Sequence, residues 1–99
     1  MTKYISLKVN DVDIKLDYFV QAFVDHTVRG MLESLEDTEP VQELDLNLDG
    51  DTISIQLNSK LVGTNTFVNK IMKSTLTGMV APLKGVTSEV RNLRIQIKQ

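Results

Sequence analysis

Ile5 to Leu35 reads ISLKVNDVDIKLDYFVQAFVDHTVRGMLESL, and Ile53 to Leu83 reads ISIQLNSKLVGTNTFVNKIMKSTLTGMVAPL. Laid over one another at an offset of 48, the two stretches share nine of 31 residues, where unrelated segments of ordinary composition share roughly two. The identities are Ile5/Ile53, Ser6/Ser54, Asn10/Asn58, Phe19/Phe67, Val20/Val68, Thr27/Thr75, Gly30/Gly78, Met31/Met79 and Leu35/Leu83. With one further residue inserted, Leu44, Leu46 and Leu48 fall over Leu93, Ile95 and Ile97. The chain therefore reads as a single domain, 1–99, made of two internal repeats (about 4–49 and 52–98). The copies are expected to pack about a pseudo-twofold axis and share one core, because a half alone is near the size at which a core becomes marginal.

Each copy reads as strand, short hairpin, helix, strand. Ile5, Leu7 and Val9 alternate with polar residues, and Val12, Ile14 and Leu16 alternate again beyond Asn10-Asp11, a two-residue turn signal. Pairing across that turn matches Val9 with Val12 and Leu7 with Ile14. In the second copy Lys60, Val62 and Thr64 stand at the matching positions and Gly63 intrudes, so a second strand there is doubtful. The closing strands are Glu43 to Leu48, Thr52 to Leu57 and Asn92 to Lys98.

One helix is predicted from an Asp17 N-cap to about Glu36, the other from Asn65 or Thr66 to about Lys84, with Gly85 as its stop. Pro82 predicts a kink or an early end. Val20, Val24, Val28, Met31, Leu32 and Leu35 make one apolar stripe, matched by Val68, Met72, Leu76, Met79, Val80 and Leu83. The fold class is α+β. It is a two-layer sandwich with a mostly antiparallel sheet of four to six strands and two long helices on one face. Without the short hairpins, the order reduces to a ferredoxin-like βαββαβ.

A second line runs along each helix: Phe19, Phe23, His26 and Gly30, then Phe67, Ile71, Ser74 and Gly78. Glycine inside a helix costs about 1 kcal/mol relative to alanine. Its recurrence at one position points to a helix interface where the two helices approach closely, with contact to another subunit as the alternative.

Composition bounds the function. The chain has no Cys, which removes disulfides, thiol nucleophiles and thiolate metal sites, and suits a reducing cytoplasmic setting. No signal for export or membrane insertion is legible. The net charge of −2 hides an asymmetry: up to Asp49, four basic residues face eleven acidic ones, net −7, and beyond it seven face two, net +5. Such halves can attract each other within the domain or steer partners.

Chemistry is scarce. Asp45 to Asp51, DLNLDGD, has the spacing of a calcium-loop opening, so Asp45, Asn47, Asp49 and Asp51 are weak metal candidates. Gln56 stands where a bidentate Glu belongs, and the interleaved leucines have strand parity, so a β-hairpin accounts for the same string. His26 is the only histidine and has no nucleophile motif beside it. The carboxylate pairs Asp11/Asp13, Glu36/Asp37 and Asp49/Asp51 fall at turns and helix ends, where acids are ordinary. Lys70, Lys73, Arg91, Arg94 and Lys98 could form a basic patch, but only five residues are aromatic, Phe19, Phe23 and Phe67 among them are expected to be buried, and the pI is near 5.3, all of which argues against nucleic acid. The expected function is a small cytoplasmic protein-interaction or assembly module, not an enzyme. It would take no cofactor, and its partner would be protein, including further copies of itself as a homo-oligomer. Edge strands and the oppositely charged halves would be its working surfaces. The rival is a small-ligand or enzymatic pocket between the helices near His26, Ser74 and the two glycines.

Overall fold

The computed structural model describes residues 4–35 and 39–99. It is an α+β plate: one antiparallel six-stranded sheet with two helices on one face. In chain order the elements are β1 (Tyr4–Val9), β2 (Val12–Asp13), α1 (Tyr18–Glu33), β3 (Glu43–Asp49), β4 (Thr52–Leu57), β5 (Lys60–Leu61), α2 (Thr66–Val80) and β6 (Asn92–Lys98). The strand order is β2-β1-β6-β3-β4-β5, so the last strand of each half lies at the centre and the shortest strands lie at the edges.

The alternation in sequence becomes two unlike faces. Leu44, Leu46 and Leu48 on β3, Ile53, Ile55 and Leu57 on β4, and Leu93, Ile95 and Ile97 on β6 are buried beneath the helices. Asp45, Asn47, Ser54, Gln56, Arg94 and Gln96 occupy the opposite face, as side-chain parity in a strand requires. Leu46 pairs with Ile95 at the centre of the sheet, and both are completely excluded from solvent. Val24, Val28 and Leu32 of α1 and Met72, Leu76 and Val80 of α2 close the core from above.

Local chemistry sets the element ends. Asp17 and Asn65 are the N-caps, each side chain accepting from the backbone N–H three residues on, at 2.8 Å. α1 ends at Glu33, with Ser34 capping, which is short of the expected Glu36; Glu36 and Asp37 lie outside the described residues. α2 ends at Val80, ahead of the expected Lys84, because Pro82 cannot continue the hydrogen-bonding ladder. Gly85 adopts the left-handed conformation (φ 97°) in the turns that follow, with Ile14 Cδ1 3.3 Å from where a Cβ would stand.

Asn10 and Asp11 both have positive φ (50° and 66°), the signature of a type I′ hairpin turn, and Val9 pairs with Val12 as the sequence suggested. The doubtful strand in the second half does form. Asn58 and Ser59 take the same conformation (52° and 69°), and Leu57 pairs with Lys60. Gly63 falls beyond the pairing, so it does no harm. Since both short hairpins are present, the condition for the bare βαββαβ order is not met.

The two identical asparagines explain why such turns sit where they do. Asn10 Oδ1 accepts from the Arg91 and Asn92 N–H groups while its Nδ2 donates to the Glu89 carbonyl. Asn58 Oδ1 accepts from Gln42 and Glu43 N–H, and its Nδ2 donates to the Pro40 carbonyl. Each turn thereby fixes the start of a central strand contributed by the other half of the chain.

Candidate functional site

The outer surface of the helix layer is where the structure departs from an ordinary solvated face. At 100° per residue, Val28 and Leu76 face the sheet, which turns Phe19, Phe23, His26 and Gly30 of α1, and Phe67, Ile71, Ser74 and Gly78 of α2, toward solvent. All eight are exposed. Phe19 and Phe67 are 70% and 71% accessible, Phe23 and Ile71 about half so, and Tyr18 stands out at the start of α1. The Phe19 and Phe23 rings lie against each other with centroids 5.8 Å apart.

This corrects the expected role of the glycines. The repeated lines place these eight residues where the helices meet each other, yet among the described residues nothing lies within 4 Å of a Cβ built on Gly30 or Gly78. The helices are held apart instead, and two apolar grooves run between them. One, about 320 Å³, is lined by Met31, Ser34 and Leu35 of α1's end and Phe67, Val68, Ile71, Met72 and Thr75 of α2. The other, about 270 Å³, is lined by Phe19, Val20, Phe23 and Val24 and by Gly78, Met79, Pro82 and Leu83. The start of each helix thus lies beside the end of the other, so the pair is antiparallel. His26 and Ser74 line neither groove.

The charged candidates are dispersed. Lys70 and Lys73 are on α2, whereas Arg94 and Lys98 lie on the far face of the sheet and Arg91 in the loop before β6, so the five do not form one patch. Arg94 makes a bidentate pair with Asp45, at 3.0 Å from Nε and 2.7 Å from Nη2. That hydrogen-bonded guanidinium, helped by the Asn47 amide and opposed by partial burial, holds the Asp45 carboxyl below its ordinary range. Lys73 is ion-paired with Asp51, whose carboxyl it likewise lowers.

The candidate cation loop is a tight hairpin. Asp49 pairs with Thr52 across Gly50-Asp51, and Gly50 takes the positive φ (61°) that such a turn needs. Asp45 and Asn47 point to the polar face toward Arg94, while Asp51 leans to Lys73 of the helix layer, so their oxygens do not converge. Among the described residues no three His, Cys, Asp or Glu side chains are grouped to hold a metal ion, and no helix is long and apolar enough to cross a membrane.

A search of protein-family models, of curated proteins and of solved structures found no significant match to this chain.

Proposed function

We propose that this chain is a small cytoplasmic protein-interaction and assembly module without catalytic activity, and that its working surface is the outer face of the helix layer. The observation that carries the reading is a set of large exposed apolar side chains on the outer face of the helices, Phe19 and Phe23 at one end of the antiparallel pair and Phe67 and Ile71 at the other, each beside an apolar groove. Large apolar side chains grouped beside exposed grooves in this way mark a contact site.

The two surfaces first favoured on the sequence are less suited to the task. Edge strands β2 and β5 are only two residues long, a device that blunts edge pairing. The opposite charges of the two halves are partly spent inside the domain, in Arg94–Asp45 and Lys60–Glu39.

The same reading takes the chain to be two copies of one ββαβ unit about a pseudo-twofold axis. Its support is the register. The β1–β6 and β3–β4 ladders, the β1–β2 and β4–β5 hairpins, the asparagine anchors and seven of the eight residues lining each groove all correspond at the sequence offset. Urea unfolding of the double variant Phe19→Ser, Phe67→Ser at low protein concentration tests the contact role. Rings that serve a partner contribute little to the lone domain, so a change below about 1 kcal/mol is expected. A loss above about 2 kcal/mol would assign the rings to the fold itself and overturn the reading.

A further inference from the structure

We infer that the partner on this face is a second copy of the chain, docked helix layer to helix layer about a twofold axis that runs parallel to the helices above the groove between them. The inference rests on the contact role proposed above and names its occupant. A twofold interface must be self-complementary, since the same patch meets itself. This patch carries both projections and recesses. Phe23 and Ile71 project at the axial level of Gly78 and Met31 respectively, as the groove linings show. Rotation about that axis sets α1 over the partner's α2, antiparallel, with Phe23 over the partner's Gly78 and Ile71 over the stretch that holds the partner's Gly30. Two mid-helix glycines whose Cβ positions no described residue of their own chain approaches within 4 Å then have a use: they are the hollows that receive those side chains.

Charge selects this arrangement over its alternative. Around α1, Asp25, Arg29 and Glu33 lie on the flank away from the groove; around α2, that flank holds Lys70 and Lys73. Asp25 is engaged with Arg29 at 2.7 Å and Lys73 with Asp51, so Glu33 and Lys70 are the charges that border the apolar face. They sit at the same end of the helix pair, on opposite flanks. With α1 over the partner's α2, Glu33 of one copy meets Lys70 of the other, twice by symmetry. With α1 over the partner's α1, glutamate would border glutamate's own helix and lysine its own, and neither would find an opposite charge. The broad face, 36 by 31 Å between backbone extremes, is large enough for the roughly 800 Å² per partner of a standard interface.

Sedimentation equilibrium on the full chain from about 1 to 300 µM tests the assignment. A monomer–dimer equilibrium is expected for the wild type. Phe23→Asp should weaken it by about a hundredfold or more, and Gly78→Leu by at least about tenfold, since it fills the hollow. Both positions are exposed in the lone domain, and circular dichroism of the monomer checks that the variants fold. Glu33→Lys or Lys70→Glu alone should weaken association by about threefold to tenfold, and the two together should restore it. A wild type that remains monomeric at 300 µM in low salt overturns the second-copy assignment while leaving the unfolding test of the contact role standing. A dimer indifferent to Phe23→Asp overturns the placement on this face, and a double charge reversal that fails to restore association overturns the α1-over-α2 geometry.

Discussion

Both broad faces of the plate meet water, but they are built to opposite rules. The outer face of the sheet carries Asp45, Asn47, Ser54, Gln56, Arg94 and Gln96, with a bidentate ion pair across its two central strands. The outer face of the helices carries phenylalanines, an isoleucine and two bare glycines. Solvation alone would favour polar residues on both, and helix propensity would favour alanine over glycine. The helix layer is therefore apolar on two sides, one covering the sheet and the other exposed, and the exposed side is the one proposed above as a contact surface.

Substitutions on the two sides of the helix layer and on the sheet test that contrast. The largest effect is expected under the helices: Ile95→Ala, at the wholly buried centre of the sheet, should cost about 2–5 kcal/mol in urea unfolding. A result near that of an exposed phenylalanine would erase the distinction between the two sides. Asn58→Ala removes one side-chain donor and an acceptor of two backbone N–H groups from a residue of positive φ, and should cost about 1–3 kcal/mol; Asn10→Ala should behave alike.

Gly30→Ala should stabilise the monomer by up to about 1 kcal/mol, because it improves helix propensity and meets no neighbour. A destabilised monomer would mean that the helices do approach one another there. The smallest effect belongs to the polar face. Asp45→Asn should lower stability at neutral pH by at most about 1 kcal/mol, since the Arg94 pair is part-exposed. The folded-state carboxyl lies below its ordinary 3.8. Its contribution is therefore full above that value and is lost as pH falls through the lowered one, so wild type and variant should converge in acid.

Much of this was legible beforehand. The Asp17 and Asn65 caps, the parity of Leu44 to Leu48 and Leu93 to Ile97, and the turn at Asn10 each depend on a few neighbouring residues, and short-range rules read them well. Gly30 and Gly78 show where such rules stop. A helical repeat identifies a second apolar line but not what lies opposite it, and here no described residue of the same chain stands against either glycine. The basic residues fail likewise, because Lys73 and Arg94 belong to different layers and only the strand order reveals it. Asn10 and Asn58 were visible as identities, yet their partners at residues 89–92 and 40–43 are distant in sequence, so their anchoring role required the fold.

Tyr4 pairs with Lys98 across β1 and β6, just as Thr52 pairs with Asp49 across the β3–β4 turn. The sheet thus brings its first and last strands together much as a hairpin would. A short loop from Lys98 to Tyr4, with a new opening cut at Gly50-Asp51, would leave every strand of the sheet with the neighbours it has now.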